Sequence, residues 1–257
     1  MTTALITGAT AGIGAAFARR LARDGHDVVL VARDKDRLRA RAAELHDQHG
    51  IEASVLVADL ATDMGISAVE TRLQDADNPV DLLINNAGFG NKGAFLDVPM
   101  ADELTMLKVH CEAVLRLTSA ATTSMRARHR GGVVNVASVA AFVPRGTYGA
   151  SKAWVVQFTQ GAAKDLAGSG LRLLALCPGF VRTEFHERAG MDAGNVPGWM
   201  WLDADKVVDA AMKDLARGKT LSVPDPRYKA LMGATHLIPR NLLSRASSTT
   251  GRRYGPR

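Results

Sequence analysis

Thr2-Thr3-Ala4-Leu5-Ile6-Thr7, running straight into Gly8-Ala9-Thr10-Ala11-Gly12-Ile13-Gly14, is the stretch whose reading decides the fold. Its first six residues read as a short buried strand, and a helical pattern follows over 15–24, closed by Gly25. A strand, a glycine turn and a helix together bring backbone N–H groups and a helix N-terminus up to a pyrophosphate. Glycine suits that turn because a Cβ would block the approach and because the turn demands unusual φ. The spacing is TGxxxGxG, not GxGxxG, and a plain tight turn would also carry glycines. Its place between a first strand and a first helix favours phosphate binding.

Working outward, the same alternation recurs. Strands are predicted over 27–32, 51–58, 80–84, 133–137 and 171–176, with a short edge strand over 220–223 closed by Pro224 and Pro226. Helices are predicted over 38–49, from near Thr62, and over 101–128, 148–167 and 203–217. The long helix shows an apolar stripe of Leu104, Leu107, Cys111 and Leu115; the next shows Val155, Phe158, Ala162 and Leu166. In the last, Val207, Val208, Ala211, Met212 and Leu215 point inward. Continuous apolar strands alternating with helices predict an α/β fold: a Rossmann-like doubly wound parallel sheet of about seven strands, flanked by helices, in one domain over 1–257. Ligands of such sheets sit beyond the carboxyl ends of the strands.

The totals agree with one globular domain in a reducing compartment. The 257 residues suffice for one large core, and 47% hydrophobic with 23% charged is an ordinary globular balance. Cys111 and Cys177 stand far apart in no CxxC pair, which excludes a disulfide or zinc framework and predicts no metal. Met1 to Gly14 holds no Lys or Arg ahead of an apolar run, so no signal peptide is expected. No stretch reaches ~18 apolar residues, so no membrane span is expected and a cytoplasmic location is. The net charge of +6 comes from the end of the chain: after Asp225 there is no acid, while Arg227, Lys229, Arg240, Arg245, Arg252, Arg253 and Arg257 follow. A basic extension over 224–257 can mean an anionic partner, with a solvated end the plainer reading; few aromatics interleave with it, so nucleic-acid binding is not expected.

Candidate chemistry lies just past the strand ends. Arg33 follows the second strand, where an acidic residue would bind a free ribose 2′-hydroxyl; a guanidinium suits a 2′-phosphate, which argues for NADP(H). Arg33 could also simply lead a charged helix containing Arg37, Arg39 and Arg41. Asp59, before Leu60, could accept from an adenine amine or cap the helix near Thr62. Asn85-Asn86-Ala87-Gly88 suits a close backbone approach beside a cofactor. Ser138 ends the fifth strand, and Pro178-Gly179 follows the sixth. Tyr148 and Lys152, four apart on a helix, share one face. A cation about 4 Å from a phenol favours the phenolate by up to ~4 kcal/mol, or ~3 pKa units, and would make Tyr148 a general acid near neutral pH. A surface Tyr and a surface Lys on an ordinary helix are the plain alternative.

Taken in order, Thr7-Gly8 through Gly12-Ile13-Gly14, Asp59-Leu60, Asn85-Asn86-Ala87-Gly88, Ser138, Tyr148 with Lys152, Pro178-Gly179 and Thr183 resemble the short-chain dehydrogenase/reductase family. The match spans roughly 1–185 in the expected order. The resemblance implies that Gly8, Thr10, Ala11, Gly12, Ile13, Gly14, Arg33, Asp59, Leu60, Asn86, Ala87 and Gly88 bind the cofactor. It implies that Ser138 holds the substrate carbonyl and Tyr148 delivers its proton. Lys152 would lower the Tyr148 pKa and bind the nicotinamide ribose. Pro178, Gly179, Val181 and Thr183 would line the nicotinamide end, with backbone groups addressing the carboxamide. By analogy, a homodimer or homotetramer through the long helices is expected.

Two departures stand out. Where the family commonly has an Asn on the long helix, this chain has His110, which could join a proton relay or be a hydrogen-bonded core histidine. Ser138 and Tyr148 are ten residues apart, closer than is usual, so the loop between them must be tighter, helped by Pro144 and Gly146. Beyond the match, Phe185, Met191, Trp199, Met200 and Trp201, set among glycines, read as a substrate flap over 184–202 for a hydrophobic carbonyl compound, acyl, polyketide or steroid-like. The stretch 228–243 is apolar and basic; it could lie on a membrane surface, while a pocket edge or a subunit contact is the plainer reading, and 244–257 reads as a loose polar end. The expectation is an NADP(H)-dependent oxidoreductase acting on a small carbonyl or alcohol; a non-catalytic dinucleotide sensor is the rival, disfavoured because Ser138, Tyr148 and Lys152 are all present.

Overall fold

Strand β1 (Thr3–Thr7) sits near the middle of a seven-stranded parallel sheet because every side chain of its apolar run is covered, Ala4, Leu5 and Ile6 completely. The computed structural model describes residues 2–184 and 196–230. In chain order the elements are α1 (Gly12–Arg23), β2 (Asp27–Ala32), α2 (Lys35–His49), β3 (Ala53–Val57), α3 (Asp63–Gln74) and β4 (Leu82–Asn85). Then come α4 (Met100–Leu107), a π-helical turn (Lys108–Glu112) continuing into α5 (Ala113–Ala127), and β5 (Gly131–Val136). A 3-10 turn (Val139–Phe142) leads to α6 (Gly146–Asp165) and β6 (Leu171–Leu176). Last are β7 (Phe180–Val181), β8 (Trp201–Leu202), α7 (Ala204–Ala216) and β9 (Leu221–Ser222).

The sheet order is β3-β2-β1-β4-β5-β6-β9, with β9 at the edge as expected. The chain runs from β1 outward to β3, then returns to β4 on the other side of β1. That reversal opens a crevice beyond the ends of β1 and β4, where doubly wound sheets bind ligands. Alternate residues of β1 serve opposite faces. Ala4 and Ile6 join Phe17 and Leu21 of α1 and Val207, Val208 and Ala211 of α7. Leu5 joins Ile66 and Val69 of α3 and Val109, Leu117 and Met125 of the long helix.

The apolar stripe of the long helix is only partly covered: Leu107 and Cys111 are half-buried, while Leu104 is 58% and Leu115 44% exposed. The buried side is Met106, Val109, His110, Ala113, Leu117, Ala121 and Met125. Two apolar stripes run along this helix, and the one with small alanines fits closely against the sheet. The π turn, an extra residue in the helical repeat, also shifts the phase midway. On α6, Val155 is buried as predicted, while Phe158 is only partly covered and stacks on Trp154 at 4.9 Å.

A second, two-stranded sheet pairs Phe180 with Trp201 and Val181 with Leu202. It closes the base of the predicted flap. Phe185, Met191 and the rest of 185–195 lie outside the described residues, as do 231–257 with most of the basic end. Within the described part, Arg227 pairs with Asp225 at 2.7 Å. Among the described residues no helix is long and apolar enough to cross a membrane.

Candidate active site

Two loops rim the crevice, and Thr7 joins them. Its hydroxyl accepts from the N–H groups of Asn86 and Ala87, both at 3.0 Å, while the Asn86 amide donates to the carbonyls of Thr7 and Gly8 at 2.9 and 3.2 Å. Asn86 therefore braces the loop after β4 against the glycine turn. Gly8 and Gly12 have φ of +67° and +55°, and a Cβ on Gly14 would lie 2.2 Å from the Gly8 carbonyl oxygen. These glycines are demanded by the turn folding on itself, in addition to any ligand. Helix α1 starts at Gly12 with Ala11 at its N-cap, no side-chain cap and no acid in the first turn. Helices α2, α3 and α7 are instead capped by Asp34, Thr62 and Asp203. A helix mouth left open beside the sheet's switch point fits the pyrophosphate of a dinucleotide.

Arg33 is exposed just after β2 and makes no ion pair among the described residues. Arg37 is engaged: it pairs with Glu184 at 2.7 Å and donates to the Thr10 carbonyl at 3.3 Å. Of the two readings of Asp59, capping falls to Thr62, whose hydroxyl accepts from Gly65 N–H at 3.0 Å. The Asp59 carboxylate turns back onto Ala61 N–H at 3.0 Å. Leu60 and Val181 are buried in the core, so only their backbones are open to a ligand. Ile13 is half-buried against the core. Thr183 packs against the glycine turn, since a Cβ on Gly12 would lie 2.9 Å from its methyl. The Pro178 carbonyl accepts from Val139 N–H at 3.0 Å, which sets the loop after β6 beside Ser138.

The shortened segment between Ser138 and Tyr148 closes through a 3-10 turn. Ser138 accepts from Ala140 N–H at 3.1 Å and so caps the 3-10 turn, and Gly146, at φ +54°, starts α6 at once. The Ser138 side chain lies by the Tyr148 phenol and favours its ionised form. One turn along, Lys152 is 5% exposed; its ammonium donates to the Val136 carbonyl at 3.0 Å and lies 5.8 Å from the Tyr148 ring centre. The expected acidification of the phenol by Lys152 is not what the protein alone provides. Burial pushes Tyr148 up, and Ser138 and then Arg145 pull it part of the way back. Lys152 is itself pushed down to about 8 by burial. An ammonium that gives up its proton this readily is a weaker partner than a solvated one.

His110 is fully buried, and both ring nitrogens are used. Nε2 accepts from Phe89 N–H at 3.2 Å, and Nδ1 lies 3.0 Å from Ser151 Oγ. Ser151 gives its proton to the Tyr148 carbonyl at 2.8 Å, so its oxygen must accept from Nδ1–H. Burial first, and the Lys152 charge second, hold the imidazole far below its usual range. His110 is thus a neutral core histidine that ties the loop after β4 to the helix of Tyr148, with its ring edge-on to the phenol ring at 5.7 Å. Gly88 leaves room for it: a Cβ there would lie 2.9 Å from Nε2. His110→Asn is expected to lower turnover but to leave the acid limb of the pH–rate profile in place. Loss of an inflection between about pH 6 and 7 would show that His110 carries a catalytic proton.

Sequence reasoning missed Ser151, Arg145 and Tyr228, the last of which underlies Gly179. It also missed the buried ladder in which Asn85 donates to Asn135 and Thr118, and Asn135 donates to Thr159.

Comparison with known proteins places this arrangement. A family model described as short chain dehydrogenase matches residues 2–193. A putative ketoacyl reductase of the monensin polyketide synthase of Streptomyces virginiae is 38% identical over 192 residues, 72% of each chain. A short-chain dehydrogenase from Sphingobium yanoikuyae, solved with NADPH, superposes with a TM-score of 0.84 at 39% identity, covering 92% of this chain and 94% of the other. An alcohol dehydrogenase from Comamonas testosteroni, specific for bulky-bulky ketones, gives 0.80 at 33% identity and covers 92% of both chains. With the switch-point crevice, the glycine turn and the Ser138, Tyr148 and Lys152 cluster in place, the chain belongs to the short-chain dehydrogenase family and is an oxidoreductase.

Proposed function

We propose that the protein is an NADP(H)-dependent reductase that converts a hydrophobic ketone or aldehyde to its alcohol and runs the reverse oxidation. One observation carries this reading: at the end of β5 the Ser138 side chain lies by the Tyr148 phenol and favours its ionised form, with the Lys152 ammonium buried one turn away. A carbonyl oxygen entering between them meets two hydroxyl donors. Ser138 orients and polarises the oxygen; Tyr148 gives it a proton. Lys152, anchored on the Val136 carbonyl, holds the site's positive charge and contacts the nicotinamide ribose. When bound, the cofactor supplies the hydride. Gly8, Gly12 and the open first turn of α1 hold its pyrophosphate, and Pro178 to Thr183 its nicotinamide end.

NADP(H) is favoured by the exposed Arg33, which makes no ion pair among the described residues, and by the NADPH found in the Sphingobium relative. A hydrophobic substrate is favoured by the 63% exposed Trp199 at the base of the flap over 184–202, and by relatives named for ketoacyl groups and bulky ketones. The outward Leu104 and Leu115 support self-association through the long helix, which sedimentation velocity decides. Reduction of a panel of 3-oxoacyl thioesters and bulky ketones tests the activity; dinucleotide binding with no turnover on any would favour the sensor. Arg33→Ala is expected to weaken NADPH binding about tenfold or more and to leave NADH unchanged, by the usual cost of a lost charge-assisted hydrogen bond. An unchanged NADPH to NADH ratio would sink the 2′-phosphate assignment.

A further inference from the structure

We propose that Tyr228, far along the chain from every motif of the site, is a positioning residue for the nicotinamide half of the cofactor, an inference that rests on the dinucleotide reading above. Tyr228 is 4% exposed. Its hydroxyl accepts from Phe180 N–H at 3.2 Å and donates to the Met200 carbonyl at 2.8 Å. One hydroxyl therefore joins three segments: the start of β7, the turn just before β8, and the C-terminal segment. The neighbouring Arg227, held by Asp225, donates to the Trp199 carbonyl, so consecutive side chains grip consecutive carbonyls at the base of the flap.

The ring matters as much as the hydroxyl. A Cβ on Gly179 would lie 2.1 Å from Tyr228 Cζ and 2.3 Å from Cε2. The φ of Gly179 is not positive, so no backbone conformation demands glycine there. What demands it is the Tyr228 ring, whose Cζ and Cε2 fill the space a Cβ would take. From that peptide the chain continues through Val181, paired with Leu202, to Thr183, which rests on Gly12 of the phosphate turn. Tyr228 thus sets the height of a strand that touches both the nicotinamide end and the pyrophosphate end of the crevice. It also makes the C-terminal segment part of the cofactor site, where sequence reading saw a pocket edge or a subunit contact.

Tyr228→Phe keeps the ring and removes the bridging hydroxyl. Two ligands separate a local effect from a general one: NADPH, and 2′,5′-ADP, which carries the adenine half without the nicotinamide. Binding is read directly, by nicotinamide fluorescence for NADPH and by calorimetry for both. The loss of two ordinary hydrogen bonds predicts an NADPH Kd raised about tenfold in the variant, with 2′,5′-ADP changed less than about twofold. Hydrogen exchange of the Phe180 amide should also be faster in the variant without any ligand. Equal weakening of both ligands, or no change in NADPH binding, would overturn the positioning role while leaving the cofactor assignment intact. Wild-type protein that bound neither ligand would overturn that assignment and this inference together.

Discussion

Tyr148→Phe is expected to cut carbonyl reduction by at least about a thousandfold, the upper part of the range for a lost general acid, while NADPH binding stays within about twofold. The variant keeps the ring, its edge contact with His110 and the helix carbonyl that holds Ser151. It loses only the hydroxyl that meets Ser138, so the loss should fall on kcat and leave the cofactor Kd alone. The wild-type pH dependence carries a sign that checks the same claim. Burial raises the Tyr148 pKa, with Ser138 and Arg145 offsetting part of the rise. Reduction needs the protonated phenol and should persist well above neutral pH; oxidation needs the phenolate and should climb as pH rises through the Tyr148 pKa. Replacing Arg145 by a neutral residue should move that climb to higher pH. A reverse reaction fastest at acidic pH would contradict the assignment of the base.

Lys152→Met is expected to act in opposite directions on activity and stability. Turnover should fall at least about a hundredfold, since the buried positive charge one turn from the phenol is gone. The protein without cofactor should nevertheless become more stable at neutral pH. The folded-state pKa of Lys152 is pushed down from 10.5 to about 8 by burial. A lowered lysine pKa means that folding costs free energy while the group is charged. The unfolded chain binds the extra proton between the two values, so wild-type stability rises with pH across that window. At ~1.36 kcal/mol per unit the full shift is about 3 kcal/mol; the bond to Val136 and structural relaxation reduce the expected gain to roughly 1–2 kcal/mol. That corresponds to a Tm higher by roughly 2–8 °C for a chain of this size. The gap between variant and wild type should shrink as pH rises past about 8, where the wild-type lysine has lost its charge. A variant that melts lower than wild type at pH 7 would show that the buried ammonium is net stabilising.

The strands were legible because a strand buried on both faces reads as an unbroken apolar run, as in Val28-Val29-Leu30-Val31. Helix ends were legible where capping chemistry is local, as at Gly50 and Asp203. The long helix misled because Leu104 and Leu115 are larger than the alanines that actually face the sheet, and composition rewards size, not fit. Two-residue strands such as β7 and β8 are too short to show any period. In the site, Ser138, Tyr148 and Lys152 could be named because strand ends and helix periodicity place them. The acidity of Tyr148 could not, because burial outweighs the neighbouring charges there and burial is a property of the fold. Ser151 hides as a spacer inside the Tyr148-to-Lys152 motif. Tyr228 meets Phe180 across 48 residues with no sequence pattern to join them.

The central claim is that Ser138 and Tyr148 present two hydroxyls to a carbonyl oxygen while its carbon receives hydride. It is tested most directly with NADPH deuterated at its transferable position, a 3-oxoacyl thioester or a bulky ketone, and mass spectrometry of the product. The account predicts an alcohol carrying one deuterium on the former carbonyl carbon from the wild-type protein, and none above background from Tyr148→Phe. Deuterated alcohol formed equally well by Tyr148→Phe, or tight NADPH binding with no labelled alcohol from any carbonyl offered to the wild type, would contradict it.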